Sequence, residues 1–96
     1  MPRYYFHLVH PGRETILDEV GDEFAYNAAA RREGIASLGE LIFEALRAEA
    51  VPLNVSVQIV REGHGIIEVV TGTIASNNNA ELVIQSENKT TGWTGP

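Results

Sequence analysis

The side chains of this sequence that could do chemistry are few, and their spacing decides against most of what they could do. His7 and His10 form an H-x-x-H pair. On a helix two imidazoles so spaced would share a face and could bind zinc. On a strand, positions three apart point to opposite sides and cannot share one metal ion. The surrounding residues predict a strand, so His7 is expected on a sheet face, as an interface residue, and His10 in the turn that follows. Asp18, Glu19, Asp22 and Glu23 form an acidic run that could supply oxygen ligands to a cation. It lacks the D-x-[DN]-x-[DN]-G order of a calcium loop, and a charged turn beside the positive end of a helix explains it as well.

His64 sits between Gly63 and Gly65 at a predicted hairpin tip. No serine or carboxylate is spaced to form a triad with it, and a tip offers no desolvated site. Gly63-x-Gly65 is not a phosphate loop, because neither a helix nor a lysine follows. Arg31 and Arg32 are the only adjacent basic residues; Arg31 is expected to lay its stem along the core. Trp93 and the Asn88-Lys89-Thr90 acceptor pattern fall in a polar tail. No catalytic residue, metal ligand or cofactor site is assigned from these patterns.

The elements that must position these residues are clearer. Arg3–Val9 alternates as a strand, with Tyr4, Phe6 and Leu8 on one face and Tyr5, His7 and Val9 on the other. His10-Pro11-Gly12-Arg13 carries turn chemistry, and Glu14–Leu17 is expected to return as the second strand of a hairpin. A charged turn follows, then a very short strand near Phe24. From about Asn27 to Glu49 the period becomes helical. Ala28, Ile35, Leu38, Ile42, Ala45 and Leu46 form one apolar stripe, with Leu41 and Phe43 on its flanks. That arc is wider than one sheet needs, which points to a second buried contact. Two glycines interrupt the helix. Gly39, near the stripe, is expected to admit a close neighbour, whereas Gly34 lies at the margin. Pro52 ends the helix.

Leu53–Arg61 alternates, Glu62–Gly65 turns, Ile66–Ile74 returns with a bend or bulge at Gly72, and Ala80–Gln85 forms a last strand. The expected fold is α+β: an antiparallel sheet of four to five strands, ordered β-β-short β-α-β-β-β, with one long amphipathic helix on one face. Residues 1–85 form one domain and 86–96 a mobile tail.

Composition agrees with a small globular domain. The chain has 96 residues, 44% hydrophobic and 21% charged, with no cysteine. A disulfide framework, a thiolate metal site and a cysteine nucleophile are therefore excluded. The stretch Tyr4–Val9 is too short and polar for a signal peptide, and nothing approaches the ~18 apolar residues of a membrane span. The expected setting is the cytoplasm. A formal charge of −6 disfavours nucleic-acid binding and suits a basic protein partner.

Met1-Pro2-Arg3-Tyr4-Tyr5-Phe6-His7-Leu8, then Asp18-Glu19-Val20-Gly21, then Ala29-Ala30-Arg31-Arg32-Glu33 resembles a small bacterial family, a domain of unknown function. Its members, chiefly from soil and plant-associated bacteria, begin M-P-R-[YF]-[YF]-F and place D-E-x-G before an A-A-R-x-E helix. The resemblance covers roughly the first 70 residues and extends to the hairpin around Gly63 and Gly65. It implies a fold and a bacterial cytoplasm, but no activity. The family often has Pro-Asp before the helix; Ala25-Tyr26 stand there in this chain, so Asn27 is expected to cap instead. The element order is also similar to the N-terminal domain of HicB-type antitoxins.

The sequence thus points to a non-enzymatic interaction module that self-associates. Its exposed sheet face or the flank of its helix is expected to form the interface, with Tyr5, His7, Val9, Leu41 and Phe43 as the candidate residues. The alternatives are a regulatory, antitoxin-like protein that binds a basic protein partner, and, less favoured, an enzyme.

Overall fold

A computed structural model of the chain describes residues 1–86. Residues 87–96 of the expected tail, Trp93 among them, lie outside the described residues. The order is β1 (Arg3–Val9), β2 (Asp22–Glu23), α1 (Asn27–Arg47), β3 (Leu53–Arg61), β4 (Gly65–Ile74) and β5 (Ala80–Ser86). All strands pair antiparallel in one five-stranded sheet of order β2-β1-β3-β4-β5, and α1 lies over β3 and β4. The α+β architecture read from the sequence is the one observed.

Alternation sorts the strand residues as expected. Tyr4, Val55, Val57, Ile59, Val70 and Ile74 are buried under the helix, and Phe6 and Leu8 pack against them. The helix buries Ala30, Gly34, Leu38 and Ile42, spaced four apart along one line. That line shares Leu38 and Ile42 with the stripe read from the sequence, but its N-terminal half runs through Ala30 and Gly34, where the large apolar side chains that mark a stripe are missing.

Small residues set the distance between layers. A Cβ on Gly34 would come within 2.7 Å of Ile59 Cδ1, and a Cβ on Gly72 within 2.7 Å of Ile42 Cδ1. Each glycine therefore makes room for an isoleucine of the facing layer, Gly34 for Ile59 and Gly72 for Ile42. Gly39, expected to be the close approach, has nothing within 4 Å, and the roles of the two helical glycines are reversed. Gly72 sits in regular pairing between Val55 and Leu82; the irregularity lies between Ile59 and Val60, where Ile67 is the extra residue on β4.

The expected strand Glu14–Leu17 does not form. Only Ile16 bridges to Leu8, through two backbone hydrogen bonds of 2.9 and 2.8 Å. The physical reason is Asp18. Its Oδ2 accepts the Phe6 N–H at 3.1 Å, where a neighbouring strand would have placed a carbonyl. The short strand comes slightly early, at Asp22–Glu23 beside Arg3 and Tyr4, with Phe24 just beyond it. The outer side of β1 is thus met by three partners in turn: β2, a carboxylate and a single bridge.

At the helix start, Tyr26 occupies the capping position and makes no side-chain cap. Asn27, expected to cap, instead accepts from the buried Tyr4 hydroxyl at 2.6 Å and from Arg61 at 3.1 Å. A buried tyrosine needs such a partner for its hydroxyl. Arg61 also stacks over the Tyr4 ring at 5.9 Å, so one residue near the helix N-terminus ties β1 and β3 together.

Candidate interaction surface

The titratable groups that the fold draws together serve the fold. Asp18 is half-buried. Burial alone would raise its pKa, but N–H groups of Gly21, Phe6 and Val20 and the nearby His7 outweigh it and hold the carboxyl below its ordinary value of 3.8. The Asp18 N–H in turn donates to His7 Nδ1 at 3.0 Å, which fixes that nitrogen as an acceptor. Gly21 closes the turn with φ +73; a Cβ there would strike the Tyr4 carbonyl at 2.7 Å and the Tyr5 ring at 2.8 Å. Only glycine satisfies both demands. The Asp18–Gly21 segment is therefore a latch that holds the 10–21 loop against β1.

Two further members of the acidic run, Asp22 and Glu23, have partners within the fold. Asp22 Oδ1 accepts from the Glu23 N–H, and Glu23 pairs with Arg3 at 3.4 Å. Among the described residues, no three His, Asp or Glu side chains are grouped as a metal ion would require. His10 accepts the Arg13 N–H through its carbonyl in the expected turn, and the His64 ring lies 3.2 Å from the Glu62 carbonyl at an exposed tip.

Among the described residues, Glu68 is the one polar residue at a buried position, and it is not among the candidates drawn from the sequence. The signal was available: Val70, Gly72 and Ile74 mark the helix face of β4, and Glu68 shares their parity. It pairs with Arg31 at 3.9 Å, and its Oε1 has no hydrogen-bond partner. Arg31 reaches across the core edge as its position suggested, and ends on this carboxylate.

The five residues chosen from the sequence as an interface do not form one surface. Tyr5 and His7 stack with ring centroids 6.5 Å apart on the sheet face away from the helix, beside the latch. With Val9 they are half-buried. Leu41 lies across the core in a groove of about 340 Å³ between β1 and α1, floored by Phe6, Leu8 and Val57. Ser37, Glu40 and Glu44 form its helical wall. Phe43 is on the opposite helix flank, 59% exposed, with the Arg47 guanidinium 5.5 Å above its ring.

The most continuous exposed apolar run is elsewhere, on β5. Leu82, Val83 and Ile84 are 45%, 44% and 47% exposed. Leu82 is paired with Gly72 and Ile84 with Val70, so both point to the helix side of the sheet; Val83, paired with Thr71, points away. Among the described residues no strand pairs with the outer side of β5. Residues 80–85 were read as a strand, but their place at the sheet edge is a matter of topology that alternation cannot show.

The family model of a domain of unknown function, DUF6894, covers residues 3–73. The chain belongs to this family. The matched span runs from β1 to the end of β4, and β5 lies beyond it. No curated protein and no solved structure matches the chain. No helix among the described residues is long and apolar enough to cross a membrane.

Proposed function

We propose that the chain is a small, non-enzymatic interaction module that works by associating with itself. The observation that carries this reading is β5: three consecutive exposed apolar residues on a strand whose outer side pairs with no other strand among the described residues. Edge strands that stay single are usually shortened, charged or interrupted by proline. Here β2 is two residues long and acidic, whereas β5 is seven residues long with only Glu81 charged among Ala80–Ile84. The engagement of Asp18 and His7 in holding the 10–21 loop against β1 supports a binding role over a catalytic one. The −6 charge favours protein partners over nucleic acid. Light scattering on the intact chain tests the reading. A mass approaching a multiple of 10.5 kDa at high concentration, falling on dilution, supports it; 10.5 kDa at every concentration refutes it.

A second reading has its own observation. The groove over Phe6, Leu8, Leu41 and Val57 has an apolar floor, two glutamates on its wall and no basic residue in its lining. Glu40 and Glu44 stand one helical turn apart with no ion-pair partner within 4.0 Å among the described residues. Like charges so spaced cost a few tenths of a kcal/mol that a cation would recover. The fitting occupant is a basic amphipathic segment of another protein. A Leu/Lys amphipathic peptide should bind, weaken as salt rises, and lose affinity with Glu40→Gln/Glu44→Gln. Equal binding of a Leu/Glu peptide would reject the groove as that site.

A further inference from the structure

Resting on the self-association reading, we infer that the partner of β5 is β5 of a second copy, paired antiparallel about a two-fold axis through Val83. The two sheets then become one of ten strands. The strand is self-complementary in this register. The exposed apolar run Leu82–Ile84 has Val83 at its centre, so Leu82 of one copy lies opposite Ile84 of the other, and the reverse. Direct partners on an antiparallel ladder share a face, so all four side chains gather on the helix side. The two Val83 residues meet on the other face. Glu81 falls opposite position 85 of the other copy rather than opposite its twin, so like charges stay apart.

The same arrangement closes. The far edge of the sheet is β2, two acidic residues long, and the outer side of β1 beyond it is occupied by Asp18 and Ile16. A copy has one edge to offer, so pairing stops at two instead of running on as a filament. At about 4.8 Å per strand, four strand spacings separate the two helices, which puts their axes roughly 19 Å apart on one face. They do not touch. Strand pairing and six apolar side chains carry the dimer, an interface below ~1,200 Å² of the kind that exchanges readily. Two copies of charge −6 repel, so added salt strengthens this association. The basic-partner reading has the opposite salt dependence.

The absence of cysteine makes the register testable by single substitutions in the full-length chain. Opposed residues on an antiparallel ladder have Cα atoms about 4.5 or 5.5 Å apart, both within disulfide range. Val83→Cys should give a covalent dimer on mild oxidation. Glu81→Cys, roughly 13 Å from its twin along the strand, and Phe43→Cys, on helices that do not meet, should not. Val83→Lys sets two lysines face to face at the axis and should weaken association at least tenfold, with an unchanged circular dichroism spectrum. If the wild type associates but Val83→Cys does not cross-link and Val83→Lys associates normally, the β5 pairing is wrong and the self-association reading survives. Cross-linking through Glu81→Cys in place of Val83→Cys would overturn the register. A wild type that never exceeds the monomer mass would remove the reading itself.

Discussion

Gly34 and Gly39 are identical in sequence terms, five residues apart on one helix, and the structure assigns them opposite sensitivities. Alanine in a helix interior is favoured over glycine by about 1 kcal/mol. At Gly39 a new Cβ meets nothing within 4 Å, so Gly39→Ala should realise that gain almost in full. At Gly34 the new Cβ would stand 2.7 Å from Ile59 Cδ1 and 3.3 Å from its Cγ1. The Ile59 tip is the end of a side chain, but Ile59 is wholly buried and has no solvent to turn into. Relief requires the helix to lift off β3 or Ile59 to leave its rotamer, at about 1–3 kcal/mol for overpacking of this kind. Set against the propensity gain, Gly34→Ala should lower stability by up to about 2 kcal/mol. The two variants should therefore differ by roughly 1–3 kcal/mol, about 4–20 °C in Tm for a domain this small. Urea unfolding followed by circular dichroism measures both. Equal stabilisation by the two alanines would refute the close approach of α1 to β3 at Gly34.

Asp18→Asn should destabilise the chain by about 1–2 kcal/mol at neutral pH by weakening the hydrogen bonds to Phe6, Val20 and Gly21. Because the folded chain holds this carboxyl below its ordinary value, its contribution is full above the unfolded value of 3.8 and is lost as pH falls through the lower folded value. The gap between wild type and Asp18→Asn should close on acidification, as read from denaturation midpoints at stepped pH; a gap independent of pH would contradict the latch. Arg31→Ala should cost about 1–3 kcal/mol, since it leaves Glu68 buried without its cation, whereas Glu68→Met should be neutral or stabilising. Thermal melts of both variants check this, and a larger loss from Glu68→Met than from Arg31→Ala would reverse the assignment.

How legible the fold was depended on the physical signal each element carries. Leu53–Arg61 and the strand after it alternate cleanly, and a Gly-rich turn between them leaves only one pairing. The helix was visible from Leu38 and Ile42, yet its true contact line runs through Ala30 and Gly34, whose importance is the volume they lack. Glu14–Leu17 reads as a returning strand because Pro11-Gly12 is a good turn. It fails because the Asp18 carboxylate takes the Phe6 N–H, a long-range choice that alternation does not encode. Of the candidate surface, Phe43 was legible as an apolar residue off the main stripe. The exposure of Leu82, Val83 and Ile84 was not, since it depends on β5 being last in the sheet.

If copies meet through β5, its backbone amides report the contact. Hydrogen exchange of the intact chain, at low and at high protein concentration, reads them. Backbone amides on the outer side of Ala80–Ser86 should gain protection as concentration rises, while β1, β3, β4 and α1 stay unchanged. Exchange from β5 that is the same at both concentrations, whether fast throughout or protected throughout, would contradict that contact.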